Sequence, residues 1–196
     1  MKSSKSEPQQ SARDRLLGAA QILFYNDGIA GTGIDAVVKR AGVAKKSLYN
    51  NFASKAELVE TYLQIRHQEW LSLYEARLQQ AKTSKEGVLA VFLAYQDHAE
   101  HAYERGFRGC GLLNAAAELP ADAPGRQAVR RHKEQVESIL AEHLLGLTAG
   151  DKTKALDTAR LFSFVLEGAM SRAGLEGNGE CVRQASKMAN AMMEAM

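Results

Sequence analysis

The sequence predicts an all-α protein: an N-terminal three-helix unit followed by a larger helical body, about nine helices in all. Three observations predict it. Apolar residues recur at i, i+3, i+4 and i+7 along most of the 196 residues, the spacing of one helix face. Only three prolines occur, at positions 8, 120 and 124, so long stretches carry no helix breaker. No run of alternating β-branched residues suggests a strand.

The elements follow in order. Residues 1–10, MKSSKSEPQQ, are polar and have nothing to bury, so they read as a disordered tail. A first helix begins at Ser11, with Leu16, Leu17, Ala20, Leu23 and Phe24 on its apolar face, and Asn26-Asp27-Gly28 ends it. A second starts at Thr32, which has capping-box spacing to Asp35, and buries Ile34, Val37, Val38 and Ala41. Gly42 permits a sharp turn into a third helix, Ala44 to Phe52, with Leu48 and Phe52 inward. Ser54 and Glu57 open a fourth, over 54–81, apolar on two stripes and therefore packed on two sides. Thr83-Ser84 caps the next, over 85–104, and Gly106, Gly109 and Gly111 make a loose connection. Further helices are expected over 112–118, 125–146, 152–175 and 180–195, with Pro120 and the glycines at 174, 177 and 179 as punctuation. Three segments result: a tail 1–10, a three-helix unit 11–53, and a body 54–196.

Charge separates the two ends. Residues 1–57 hold nine Lys/Arg against five Asp/Glu, and 58–196 hold sixteen against eighteen. Between Asp35 and Glu57 lie Lys39, Arg40, Lys45, Lys46 and Lys55 and no acid. Such a local basic surface points to a polyanion partner; a solvated face is the other reading. The longest stretch free of charged residues, Leu16 to Asn26, is eleven residues, short of the roughly 18 a membrane span needs. With no apolar leader and two cysteines, Cys110 and Cys181, the expectation is a reducing cytoplasm and no membrane partner.

A short helix, a glycine turn and a second short helix describe a helix-turn-helix, whose second helix lies in the DNA major groove. Here that helix carries Lys45, Lys46 and Ser47 in its first turn, then Tyr49, Asn50 and Asn51. Lysine can donate to guanine and serine can donate or accept. Lys55 stands at a helix N-terminus, where an anion is favoured.

These residues carry a resemblance. Arg13-x-x-Leu16-Leu17-x-Ala19-Ala20, Leu23-Phe24, Gly28-Ile29, Thr32-x-Ile34, Val37, Ala41-Gly42-Val43, Ser47-Leu48-Tyr49, Asn51-Phe52 and Ser54-Lys55-x-Glu57-Leu58 resemble the N-terminal region of the tetracycline-repressor-like (TetR) family of bacterial transcriptional regulators. The resemblance covers residues 13–58. It implies a homodimeric, ligand-responsive regulator, commonly a repressor, that binds a near-palindromic double-stranded DNA operator and is released by a small-molecule effector. It also implies Thr32 as a phosphate contact besides a helix cap, Lys45, Lys46 and Ser47 as base readers, and Tyr49 and Lys55 as backbone contacts, with Asn50 beside them. For Tyr49, core packing is the competing reading. Lys46 stands where the family often has glycine, and Gly33 where it often has Ser or Thr.

In the body, Trp70 and Tyr74, then Phe92 and Tyr95, form an aromatic set at helical spacing. It is either ordinary core or the lining of an effector cavity. Asn114 and Glu118, four apart on one helix face, either bond within the body or face that cavity. Cys110 precedes a helix N-terminus, so a redox- or electrophile-sensing regulator is the alternative function; a buried inert thiol is the plain one. Phe162, Leu166, Ala169, Met170 and Ala173, with Ala185, Met188, Ala189 and Met192 on the last helix, are expected to build a four-helix dimer seam. His98 and His101 could share a face but lack a third ligand, so they read as solvated and no metal or cofactor is expected. No catalytic constellation is legible, and an enzyme is not expected.

Overall fold

The computed structural model describes residues 10–196, and among them it contains nine α-helices and no strand. The expected tail, apart from Gln10, lies outside the described residues. Contacts cluster into two units that part between Tyr62 and Leu63.

In the first unit, α1 (Ala12–Asp27) is capped by Ser11, whose hydroxyl accepts the Asp14 N–H at 3.1 Å. Its face buries Leu16, Ala20 and Phe24 against α2 (Ile34–Ala41) and α3 (Lys45–Asn51). Gly42 joins α2 to α3 at φ 62° and ψ 38°, a left-handed conformation that costs other residues about 1 kcal/mol or more. That turn lets Val37, Val38 and Leu48 meet in one core with Phe52 and with Leu58 and Tyr62 of α4 (Lys55–Leu78). Phe24 meets Tyr62 edge to face at 5.5 Å. Arg13 lies over the Phe52 ring, and Lys55 donates to the Ile29 carbonyl at 2.6 Å.

The start of α2 corrects the expectation. Its N-cap is Gly33, without a side-chain cap bond, and not Thr32. Thr32 is 2 % exposed, and its hydroxyl donates inward to the Gly28 carbonyl at 2.6 Å, with the Leu23 carbonyl at 3.2 Å. The hydroxyl proton goes chiefly to the Gly28 carbonyl, past the end of α1, which a Thr32 side chain turned to cap α2 would leave without it. The cap of α4 is as expected in part: Ser54 accepts from Glu57 N–H, and the Glu57 carboxylate accepts from Ala53 N–H.

The second unit holds the rest of α4 with α5 (Ser84–Glu100), α6 (Gly111–Glu118), α7 (Pro124–Leu145), α8 (Lys152–Glu176) and α9 (Glu180–Glu194). α7 packs along α8 and α5, and α9 packs on α5 and α8. A full capping box, Thr83 with Glu86, starts α5. α5 stops at Glu100 rather than 104, because His101 turns extended and Tyr103 folds back to donate to the His98 carbonyl at 3.1 Å. Arg77 of α4 grips Asp97 of α5 with two hydrogen bonds. The chain entering α6 runs against α8 at Gly109 and Gly174. No helix among the described residues is long and apolar enough to cross a membrane.

Two glycines in helices should respond oppositely to a methyl group. A Cβ at Gly18 of α1 meets nothing within 4 Å, so Gly18→Ala should stabilise by about 0.5–1 kcal/mol. A Cβ at Gly174 would fall 2.7 Å from Gly109 backbone atoms, so Gly174→Ala should destabilise by about 1–3 kcal/mol. Urea denaturation of both variants measures the two signs.

Candidate nucleic-acid interface and inner chamber

The outer side of the first unit is built by α3. Leu48 turns in, which sends Lys45, Lys46, Tyr49 and Asn50 out; all four are exposed, and Ser47 is half-buried. Tyr49 is 53 % exposed and is therefore not core. Lys45 pairs with Asp35 of α2 at 2.8 Å, both ends well exposed, a contact of little strength that a phosphate can displace. Asn51 is spent on its own helix, donating to the Ser47 carbonyl at 2.7 Å. Lys55 is half-buried, and its bond to Ile29 leaves two ammonium protons for other acceptors. Thr32 has its hydroxyl turned into the core and offers no outward donor; the phosphate role expected of that side chain is corrected on that ground.

Within the second unit, the residues proposed from sequence for an effector separate. Trp70 and Tyr95 come together with Cys110 around a small chamber, with Arg66, His98, Leu112 and His132 completing its wall. The chamber has about 10 Å³ of free space, close to what one water requires. Tyr74 stacks on Trp70 at 5.6 Å but sends its hydroxyl away, to within 2.8 Å of His143. Phe92 packs edge to face on Phe162, in the plain core. Asn114 donates to the Arg108 carbonyl, and Glu118 is exposed at the end of α6. So Tyr74, Phe92, Asn114 and Glu118 do not line the chamber. A wider groove of about 250 Å³ shares Leu112 and His132 with it and is bordered by Leu63, Gln64, His67, Ala128, Arg131 and Gln135.

The polar wall of the chamber is a network that sequence reasoning missed. Lys133 donates to Glu167 at 2.7 Å, to the Tyr95 hydroxyl at 3.2 Å and to the Cys110 sulfur at 3.7 Å. Burial opposes its charge, but Cys110, Tyr95 and Glu167 outweigh burial and hold its pKa well above the ordinary value. Burial also pushes the Tyr95 phenol far up. His132 meets His67 at 2.8 Å between Nδ1 atoms, one ring donating and the other accepting. Burial, then Lys133 and His67, lower the His132 pKa to about 2. His98 is packed against Arg66, whose guanidinium reaches Nε2 at 3.0 Å, and against Tyr103. Burial and Arg66 lower its pKa to about 3, so His98 is not the solvated histidine expected. A signal was present: His132 takes a buried position in the stripe Val129, Val136, Leu140 of α7, with Lys133 next to it, and polar groups drawn toward a core need partners.

On α8 and α9 the expected seam divides. Phe162, Leu166, Met170, Ala173, Ala185 and Ala189 are buried within the chain, which corrects their place in a dimer face. A helix in the middle of a bundle has two apolar stripes, and these six belong to the inner one. Ala169, Met188 and Met192 stay on the outer side, together with Leu161, Phe164 and Leu175. A groove of about 480 Å³ between α8 and α9 runs past Val165, Ala169 and Met188.

The buried histidines make stability depend on pH. Unfolded imidazoles take protons near pH 6.5, whereas folded His132 and His98 do so only near 2 and 3. Protons therefore favour the unfolded chain: stability is complete above about pH 6.5 and falls as pH drops below it. From pH 7 to pH 5 the loss should be about 1–2 kcal/mol for each histidine. Urea titrations at the two pH values, on the wild type and on His98→Gln with His132→Gln, should show a flatter slope in the variant.

Comparison with known proteins places these sites in context. Residues 16–62 match the sequence profile of the bacterial regulatory proteins of the tetR family. The HTH-type transcriptional repressor KstR2 of Mycolicibacterium smegmatis is 29 % identical over 160 residues, covering 79 % of this chain and 74 % of that protein. The HTH-type transcriptional activator FasR of the same organism is 33 % identical over 101 residues, covering 52 % of this chain and 46 % of that protein. The chain thus matches about half the length of FasR. Among solved structures, SCO4454, a TetR-family transcriptional regulator from Streptomyces coelicolor, superposes with a TM-score of 0.79 at 29 % identity, covering 94 % of this chain and 93 % of that one. A TetR transcriptional regulator from Chloroflexus aurantiacus has the same fold, with a TM-score of 0.80 at 22 % identity over 93 % and 94 % of the two chains. With the tetR-family profile over residues 16–62 and a shared fold over nearly the whole length, this chain carries the N-terminal region of the bacterial regulatory proteins of the tetR family and resembles TetR-family transcriptional regulators throughout.

Proposed function

We propose that this chain is a transcriptional repressor, not an enzyme, that binds a near-palindromic operator as a homodimer and lets go when a small molecule enters its body. The observation that carries the reading is the outer face of α3, where Lys45, Lys46, Tyr49 and Asn50 stand exposed in the middle of a 21-residue stretch without an acid. In this reading residues 11–53 read DNA and residues 54–196 sense and dimerise, in the cytoplasm. Lys46, Lys45 and Ser47 meet base edges, and Tyr49, Asn50 and Lys55 hold the sugar-phosphate backbone. The effector occupies the groove of about 250 Å³ beside Arg131 and Gln135, which shares Leu112 and His132 with the chamber at Trp70, Tyr95 and Cys110. The groove offers it Leu63, Leu112 and Ala128 as apolar wall and Gln64, His67 and Gln135 as polar partners.

The second copy covers the outer stripe of α8 and α9. Phe164, Leu175 and Met188 are each more than half exposed there, and apolar patches of several hundred Å² on a lone chain usually mark an interface. Small residues Gly168 and Ala169 between them allow close approach.

Binding should weaken steeply with salt, because Lys–phosphate contacts release counterions. Lys46→Ala should cost about 1–3 kcal/mol and relax preference at one base pair, while Lys55→Ala should weaken all sequences alike. Selection from a random duplex library, run with both variants, distinguishes these. Uniform weakening by Lys46→Ala would remove its base-reading role.

For the dimer, Met188→Glu or Ala169→Glu should yield monomers in sedimentation at micromolar concentration, with helicity kept and operator binding lost. A wild-type chain that sediments as a monomer would overturn this part of the proposal.

A further inference from the structure

Cys110 sits where α5, α6, α7 and α8 are tied together. It is the N-cap of α6 and is 7 % exposed. The Lys133 ammonium touches its sulfur at 3.7 Å while bonded to Glu167 of α8 and Tyr95 of α5. A cationic donor at the sulfur and a helix N-terminus behind it stand where negative charge develops when a thiol attacks an oxidant. The same chamber contains Trp70, 3 % exposed, whose indole N–H has no acceptor. A buried donor without a partner costs free energy, and a small oxygen species in the chamber would supply the acceptor. Space decides which species. About 10 Å³ admits a molecule near the size of water and excludes ring-sized electrophiles. Cys181 offers none of this: its thiol donates to the Glu176 carboxylate, and burial and that carboxylate push its pKa up.

We propose that Cys110 is a modification site for hydrogen peroxide, and that its oxidation to a sulfenic acid loosens the hold of Lys133 on α8. The sulfur, as thiolate, attacks one peroxide oxygen. An S–O bond forms and the O–O bond breaks. Sulfur gives up two electrons, and the second oxygen leaves as hydroxide. That hydroxide takes a proton from the Lys133 ammonium and departs as water, and the proton first released by the thiol restores the ammonium. The product hydroxyl competes for the ammonium protons that hold Glu167. The segment is already in tight contact with α8, since Gly109 leaves no room for a methyl on Gly174. Oxygen added at Cys110 is therefore felt on the helix whose outer side carries Phe164 and Ala169. This regulatory consequence rests on the reading of the chain as a DNA-binding repressor; the thiol chemistry does not.

The test uses the full chain treated with hydrogen peroxide, unfolded in dimedone to trap sulfenic acid, and mapped by mass spectrometry. Cys110 should be trapped at lower peroxide than Cys181. N-ethylmaleimide should label Cys181 in the folded chain and Cys110 only after unfolding. Lys133→Met should slow Cys110 oxidation about tenfold, the worth of one hydrogen bond to a charged group. If that variant fails to fold, Lys133→Met with Glu167→Gln removes both buried charges together and should show the same slowing. Trp70→Phe should slow the reaction with the fold kept. Cys110 remaining reduced while Cys181 oxidises, rates unchanged in the Lys133 and Trp70 variants, or maleimide reaching Cys110 as fast as Cys181 would each overturn the site. A duplex selected from a random library then reads the consequence: peroxide should lower its affinity for the wild type and leave Cys110→Ser unaffected. Oxidation without loss of affinity would overturn the link to α8. An untreated chain that selects no duplex would defeat the repressor reading and leave the thiol result standing.

Discussion

A largely buried ammonium must have its protons accepted, and the second unit is organised around that requirement at Lys133. Its three donors go to Glu167 on α8, Tyr95 on α5 and Cys110 at the start of α6. Removing any of these would leave part of a charge unpaired in a poorly polarisable interior, a cost of several kcal/mol. The ion pair is thus weak evidence for net stability and strong evidence for arrangement. It specifies which face of α7 meets which face of α8, where apolar packing alone tolerates neighbouring registers.

Around that pair the other polar groups fall into place. His132, one residue earlier on α7, turns to His67 of α4 and lies against the Trp70 ring. His98 of α5 is occupied by Arg66 of α4 and Tyr103 of the following turn. Both imidazoles stay neutral because burial and adjacent cations oppose a further charge. The result is a body whose aromatic core is threaded by neutral imidazoles beside the charges of Arg66, Lys133 and Glu167.

The first unit obeys a simpler constraint. Its helices are short, so each must spend nearly every apolar residue on a shared core, as Leu16, Val37, Leu48 and Leu58 do. What remains for solvent on α3 is then basic and polar by elimination: Lys45, Lys46, Tyr49 and Asn50. The glycine at position 42 is the hinge of that economy, because only its left-handed turn brings α2 and α3 into one core within so few residues. Dissection of surface from core in this unit is local, and function follows from the leftover side.

The sequence by itself determined the helices, their order and the outward face of α3. Helical periodicity, Gly42, and the Ser11, Ser54 and Thr83 caps are local signals, and local signals are readable in one dimension. The helix ends that were misjudged were decided by contacts. α5 ends early because Tyr103 folds back on His98, and Thr32 gives up a cap to satisfy Gly28. The division of α8 and α9 into an inner stripe with Phe162 and Ala185 and an outer one with Phe164 and Met188 also needed the structure. Periodicity shows that both stripes are apolar and does not say which neighbour covers each. The same holds for the chamber. Cys110, Lys133 and Glu167 are 23 and 34 residues apart in the chain, so only the packing of α6, α7 and α8 brings their charges into contact. Tertiary structure decided that meeting, because a buried charge selects its partners by distance in space.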